Sequence, residues 1–161
     1  MIAPLRRWVV AGGLIESPEG LLLVQNRRRD GSLDWSPPGG VVERRESVLE
    51  ALTREVVEET GIWVSGWVGP VYRVEAVAQE MGWQLTVEVY RALSFSGQVM
   101  VADPDGIVVD AKFVPTEDCV DHLARGHLWV REPLGAWLES PWEGERSYSY
   151  RVEDYQRVVR L

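Results

Sequence analysis

One stretch limits what this chain can become. It runs from Gly40 to Ile62 and reads GVVERRESVLEALTREVVEETGI. Ser47 followed three residues later by Glu50 is the pattern of a capping box at a helix start. Leu49, Leu52 and Val56 recur at helical spacing and give one apolar stripe. Gly61 follows as a left-handed stop. The spacing predicts a helix over residues 48–60. Its charges work against its own stability. Glu55, Glu58 and Glu59 stand at i, i+3 and i+4, where each like-charge pair costs roughly 0.2–0.5 kcal/mol. They also crowd the last two turns, where the helix dipole is negative. A helix shaped only for packing would carry Lys or Arg there. A hard divalent cation would turn that repulsion into binding, because Mg2+ takes oxygen ligands. Acidic helix faces are more often simply solvated, and Arg54, four residues from both Glu50 and Glu58, could pair with them.

The flanks favour the metal. Gly40 is followed after five residues by Glu46, and after seven more by Arg54-Glu55. Apolar Val56, then Glu58-Glu59, Gly61 and apolar Ile62 complete the series. This stretch resembles the Nudix box at every defining position, and the lead-in Trp35-Ser36-Pro37-Pro38-Gly39-Gly40 is also similar to that family. The resemblance implies an α/β fold, the α/β/α sandwich of Nudix proteins, with a mixed β-sheet and the box as a loop–helix–loop. Strands on both sides of one central helix, with further helices late, argue for the same layering.

Composition narrows the partners. A net charge of −8 argues against broad binding to a nucleic-acid polymer or an anionic membrane. It also means that a phosphate substrate needs metals or a local Arg cluster. Cys119 is the single cysteine, which excludes an intramolecular disulfide and suits the cytoplasm. No apolar run reaches transmembrane length. The Arg-containing N-terminus could pass for a signal peptide, but Gly12-Gly13 and the turn at residues 17–20 fit a strand and hairpin better.

In chain order, strands are expected at 8–15 and 21–26, the second nearly all apolar and so central and buried. After the helix, residues 63–77 hold a strand or two, interrupted by Gly66, Gly69 and Pro70. Residues 84–93 alternate, with Leu85, Val87 and Val89 inward and Thr86, Glu88 and Tyr90 outward, and residues 94–97 break the run. A strand at 107–114 precedes a short helix capped by Thr116 and running to about Leu123. Glu132-Pro133 opens a last helix to about Glu139, and residues 146–161 form a hairpin with Tyr148, Tyr150, Val152, Val158 and Leu161 inward. The whole reads as one domain, 1–161, with residues 127–161 packed on it or at a homodimer contact.

For the chemistry, carboxylates and a backbone carbonyl suit Mg2+ or Mn2+ better than zinc. The resemblance implies Gly39, Glu55, Glu58 and Glu59 as metal ligands, with Glu55 or Glu58 as general base. It assigns Gly40, Glu46, Arg54 and Gly61 to the scaffold, Glu46 pairing with Arg54. A distal acid is expected from the 103–105 turn, Asp105 first and Asp103 second, with Glu88 as a third candidate. Aspartates in turns are more often plain turn formers. One of Arg27, Arg28 and Arg29 is expected to clamp phosphate, since a guanidinium binds phosphate bidentately. Trp35 could stack on a base, although burial is the commoner role of tryptophan. His122 and His127 lack zinc-type spacing and read as surface or packing residues. The function implied is metal-dependent hydrolysis of a nucleoside diphosphate linked to another group, such as a nucleoside triphosphate, perhaps oxidised, or a nucleotide sugar such as ADP-ribose. The proline that ADP-ribose-selective relatives carry about 15 residues past the box has no counterpart here.

Overall fold

The computed structural model describes residues 4–154 and 157–161. The predicted helix is α1 (Val48–Thr60). The Ser47 hydroxyl accepts a hydrogen bond from the Glu50 amide at 3.1 Å, which is one half of the expected capping box. At the other end Gly61 takes φ 75°, a left-handed conformation, and its amide donates to the Val57 carbonyl at 2.9 Å.

Six strands form the larger sheet, in the order β10 (Arg157–Arg160), β9 (Arg146–Asp154), β6 (Trp63–Ala78), β7 (Trp83–Ser96), β1 (Arg6–Leu14) and β5 (Gly39–Val41). The β1–β7 and β6–β9 pairs are parallel and the others antiparallel, so the sheet is mixed. The smaller sheet centres on β3 (Gly20–Arg27), flanked by β8 (Val108–Val114) and β4 (Leu33–Ser36), with the short β2 (Glu16–Ser17) folded back on its start. Leu21 to Val24 are buried, as the apolar run predicts. Helix α1 covers one side, packing Leu52 and Val56 against Ala11, Leu22 and Tyr90. Helices α2 (Thr116–Leu123) and α3 (Leu128–Glu139) cover the other, where Leu123, Leu134 and Trp137 meet Tyr72, Val89 and Tyr150. The architecture is the expected α/β/α sandwich.

Several local expectations need correction. β6 is one strand of 16 residues, and the glycines and proline appear instead as shifts in its pairing with β7, three bulges that leave the strand continuous. β7 does not break at Ser94, because Phe95 and Ser96 pair with Val64 and Trp63, and Phe95 stacks on Phe113. Tyr90 is buried rather than outward, since α1 covers that face there. Helix α3 begins at Leu128, not Glu132, so that Trp129 reaches the core, and Pro133 sits inside it at the loss of one intrahelical hydrogen bond. Pro115, not Thr116, occupies the cap position of α2, and its carbonyl accepts the Asp118 amide at 2.8 Å. In the C-terminal pair of strands Tyr148, Tyr150 and Val152 point inward, whereas Leu161 is 69% exposed. Tyr155 and Gln156, part of the expected hairpin, lie outside the described residues.

Candidate active site

The site grows where β5 meets α1. Gly39 pairs with Gly12 and Gly40 with Ala11. A Cβ on Gly39 would stand 2.0 Å from the Ala11 carbonyl oxygen, backbone against backbone. One on Gly40 would stand 2.5 Å from Cδ of Glu55, so the bare glycine makes room for that carboxylate. The Gly39 amide donates to Oε1 of Glu59 at 2.8 Å. Glu59 is buried, and burial pushes its pKa up to about 8 against the pull of that hydrogen bond, with the charges of Glu55, Asp103 and Glu58 adding to the rise. Glu55 is also raised, chiefly by burial; Arg54 opposes this, and Glu58 and Asp105 reinforce it.

Arg54 organises the rest. It holds Glu46 with two bonds, Nε to Oε2 at 2.7 Å and Nη2 to Oε1 at 2.9 Å. Its Nη1 reaches Oε1 of Glu55 at 3.0 Å and Oε2 of Glu58 at 3.3 Å. The Arg54 hydrogen bonds hold Glu46 below the usual carboxylate range. Glu46 also accepts the Glu43 amide at 3.1 Å, which ties the turn before the helix to the same arginine.

The chain after β7 returns to this place. The Met100 amide donates to the Thr60 carbonyl at 2.8 Å, pinning the loop to the end of α1. The two aspartates of the turn then differ. Asp103 accepts the amides of Asp105, Ile107 and Val108 at 3.1, 3.0 and 2.9 Å, so it shapes the loop. The exposed Asp105 carboxylate has no hydrogen bond or ion pair among the described residues, and its charge is felt at Glu55. Asp103→Ala should therefore lower stability by about 1–2 kcal/mol through the orphaned amides. Asp105→Asn should leave the melting temperature unchanged and act only on turnover. Thermal unfolding beside steady-state kinetics separates the two.

Among the described residues, no three His, Cys, Asp or Glu side chains are drawn together as a cation would hold them. Glu59 is turned to Gly39, and Glu55 and Glu58 to Arg54. The donor set still fits a hard divalent cation. It is all oxygen, and burial together with like-charge repulsion, which raise Glu55 and Glu59, are penalties that bound positive charge would offset.

A cavity of about 310 Å³ opens beside Gly39. Leu85, Val87, Val89 and Tyr72 form its apolar wall, and Asn26, Arg28, Ser36 and His127 its polar end. The His127 ring stacks on Trp129, with centroids 4.2 Å apart and planes within 6°. Desolvation and then the Arg28 charge hold its pKa below the usual imidazole value. Arg28 is locked on Asp34, Nε to Oδ2 at 2.6 Å and Nη2 to Oδ1 at 2.8 Å.

Other candidates lie apart from this cavity. Arg27 and Arg29 are exposed. Trp35 alternates with Asp34 and Ser36 and faces α2, edge-on to His122 at 5.3 Å and beneath the Lys112 amine at 5.1 Å. Trp35→Ala should cost about 2–3 kcal/mol in stability and leave KM unchanged, which unfolding and kinetics together can check. Glu88 shares a row with Ala11 and Gly40, two strand spacings from Gly40, or about 10 Å. Asn26 and Ser36 line the cavity and Asp34 holds Asn26 and Arg28; in the sequence their signal is a polar alternation on two strands joined by a short loop. His127, read as surface or packing, lines the cavity mouth.

A NUDIX domain model matches residues 6–138. An 8-oxo-dGDP phosphatase of Danio rerio is 44% identical over 55 residues, 34% of this chain and 17% of that protein. An ADP-ribose pyrophosphatase of Methanocaldococcus jannaschii is 39% identical over 54 residues, 34% of this chain and 32% of that protein. The matched stretches thus span less than a third of each of these relatives. The crystal structure of a MutT NUDIX hydrolase from Burkholderia pseudomallei is similar at TM-score 0.61 and 28% identity, over 70% of this chain and 85% of that one. A MutT protein from Bacillus halodurans, at 20% identity, shares the fold at TM-score 0.70 over 94% of both chains.

Proposed function

Since this chain belongs to the Nudix hydrolase family, we propose that it is a divalent-cation-dependent pyrophosphohydrolase, cleaving the diphosphate linkage of a nucleoside triphosphate, oxidised or not. One observation carries the reading: three carboxylates of one helix face, two of them raised by burial and mutual repulsion, adjoin at Gly39 a cavity of about 310 Å³, enough for a nucleoside.

In this reading Glu55, Glu58 and Glu59, with the Gly39 carbonyl, hold Mg2+ or Mn2+. When bound, such an ion polarises phosphoryl oxygens and lowers the pKa of water. The chain's own residues do the rest. The Gly39 amide fixes the orientation of Glu59. Arg54, anchored on Glu46, keeps Glu55 and Glu58 on one side of the helix. Glu55 or Glu58 would take the proton of the attacking water, through whichever carboxylate oxygen the ion leaves free. Asp105 supplies a further acid from across the cleft. Arg28 binds substrate at the polar end of the cavity, whereas Arg27 does not line it. We propose a cytoplasmic site of action, which suits a chain whose single cysteine, Cys119, is buried.

The similarity to an ADP-ribose pyrophosphatase supports a second reading, a nucleotide-sugar substrate. The test is product identification by mass. The protein is incubated with nucleoside triphosphates, oxidised nucleotides, ADP-ribose and other nucleotide sugars, with Mg2+ or Mn2+. Turnover of a triphosphate, lost with chelator, supports the first reading; turnover of ADP-ribose alone supports the second. Silence across the panel, in a protein that still binds nucleotide, would point to a non-catalytic sensor.

A further inference from the structure

We infer that Asn26 and Arg28 read one edge of the base in this cavity, selecting a base that presents an N–H beside a carbonyl, as a 6-oxopurine does, over a 6-aminopurine. The inference rests on the reading above, that a nucleotide occupies the cavity.

Asn26 is 7% exposed and forms part of the cavity wall. Its Nδ2 donates to Oδ1 of Asp34 at 3.1 Å and to Oγ of Ser36 at 2.9 Å, and it lies 3.5 Å from the Asp34 carbonyl. Both Asp34 oxygens can only accept, so the amide cannot be turned round. Oδ1 therefore has a fixed place. It takes no hydrogen bond from the described residues, yet no buried side-chain oxygen or nitrogen among them lacks a partner, so this atom is open to the cavity. Arg28 lies two residues on, just past the end of β3; it lines the same cavity, and its Nη2 shares Oδ1 of Asp34 with the Asn26 amide. Its Nε and Nη2 are spent on Asp34, which leaves Nη1 free to donate. The cavity lining thus holds a fixed acceptor and a fixed cationic donor, both anchored on Asp34.

Two complementary edges could meet that pair, and side-chain chemistry separates them. A single cationic N–H donor favours a carbonyl oxygen such as the O6 of a 6-oxopurine, the base acceptor that Arg and Lys most often take, over a ring nitrogen. Asparagine reads adenine through both its amide oxygen and its amide nitrogen. Here the nitrogen is committed to Asp34 and Ser36, so the adenine mode is closed. The remaining oxygen can still accept from the ring N–H of a 6-oxopurine.

The experiment compares inosine and adenosine triphosphates, whose bases differ only along this edge. Wild-type protein should favour the inosine nucleotide by about 10-fold or more in kcat/KM. Calorimetry without metal should show the same order for the two monophosphates. Asn26→Leu should bring the ratio close to one. Arg28→Lys keeps a cation for Asp34 but loses the fork, and should reduce the ratio; it serves if Asn26→Leu does not fold. A merely structural role would lower both substrates equally and leave the ratio intact. Equal or reversed preference in the wild type, or an unchanged ratio in both variants, would overturn the inference. If neither nucleotide is bound or hydrolysed, the nucleotide reading itself fails, and the inference with it.

Discussion

Glu59→Gln should lower turnover by about 100-fold or more and, in metal-free protein at pH 8, raise the melting temperature. The first effect follows from removing a charged ligand. The second follows from what the charge does alone. Glu59 has its pKa raised from the ordinary 4.5 to about 8, chiefly by burial. Between those values the folded state binds more protons than the unfolded state, so stability falls as pH rises. The contribution is fully present below about 4.5 and is lost as pH passes through about 8. A shift of that size corresponds to about 5 kcal/mol. Glutamine has no charge to bury, and its side-chain oxygen can still accept the Gly39 amide. Thermal unfolding in chelator should give a gain on the order of 10–20 °C at pH 8 and close to none at pH 4.5. A loss of stability at pH 8 would show that Glu59 serves the fold rather than the site.

Gly39→Ala should be the most damaging single methyl group at the site; among the described glycines only Gly20 leaves its Cβ less room, 1.9 Å from the Val114 carbonyl oxygen. Its Cβ would meet the Ala11 carbonyl oxygen at 2.0 Å, with the carbonyl carbon and the Gly12 Cα both at 2.9 Å. All three are backbone atoms and cannot swing aside. The methyl can be accommodated only by moving β5 off β1, which breaks the Gly39–Glu59 bond and displaces the proposed carbonyl ligand. The expected outcome is a loss of about 2–4 kcal/mol in denaturant unfolding and turnover below detection. Gly40→Ala provides the comparison. Its Cβ meets only the Glu55 side chain, which can rotate. That variant should fold nearly as well as the wild type and lose activity, because the rotation moves Glu55. Equal stability of the two variants would contradict this account of the edge.

These two glycines also show what could be read from the sequence. The spacing from Gly40 to Ile62 places the helix, its caps and its acidic face, and the chain of bonds from Glu46 through Arg54 to Glu55 and Glu58 follows that spacing. The burial of Glu59 beneath Gly39 does not follow, because it depends on β5 pairing with a strand near the N-terminus. Tyr90 failed for the same reason: alternation along β7 describes one strand, whereas burial depends on which helix lies over it. Asp103 and Asp105 read alike as turn residues, and only the fold shows which carboxylate the loop uses. Trp35 and Arg28 stand close together in the sequence, but Trp35 alternates on β4 with Asp34, which holds Arg28, and so turns the other way. Glu132-Pro133 reads as a helix start because a proline is tolerated in the first turn; burial of Trp129 carries the helix back to Leu128.

The most direct measurement is a calorimetric titration of substrate-free protein with Mg2+ or Mn2+ at pH 7, in two buffers of different ionisation enthalpy. If the acidic face of α1 holds the cation, binding must deprotonate Glu59, whose pKa stands at about 8 in the metal-free protein. Wild-type protein should then release close to one proton per bound ion, and Glu59→Gln should bind at least about 10-fold more weakly with no such release. Equal affinity in the two proteins, or binding with no proton released by the wild type, would place the cation elsewhere and contradict the account.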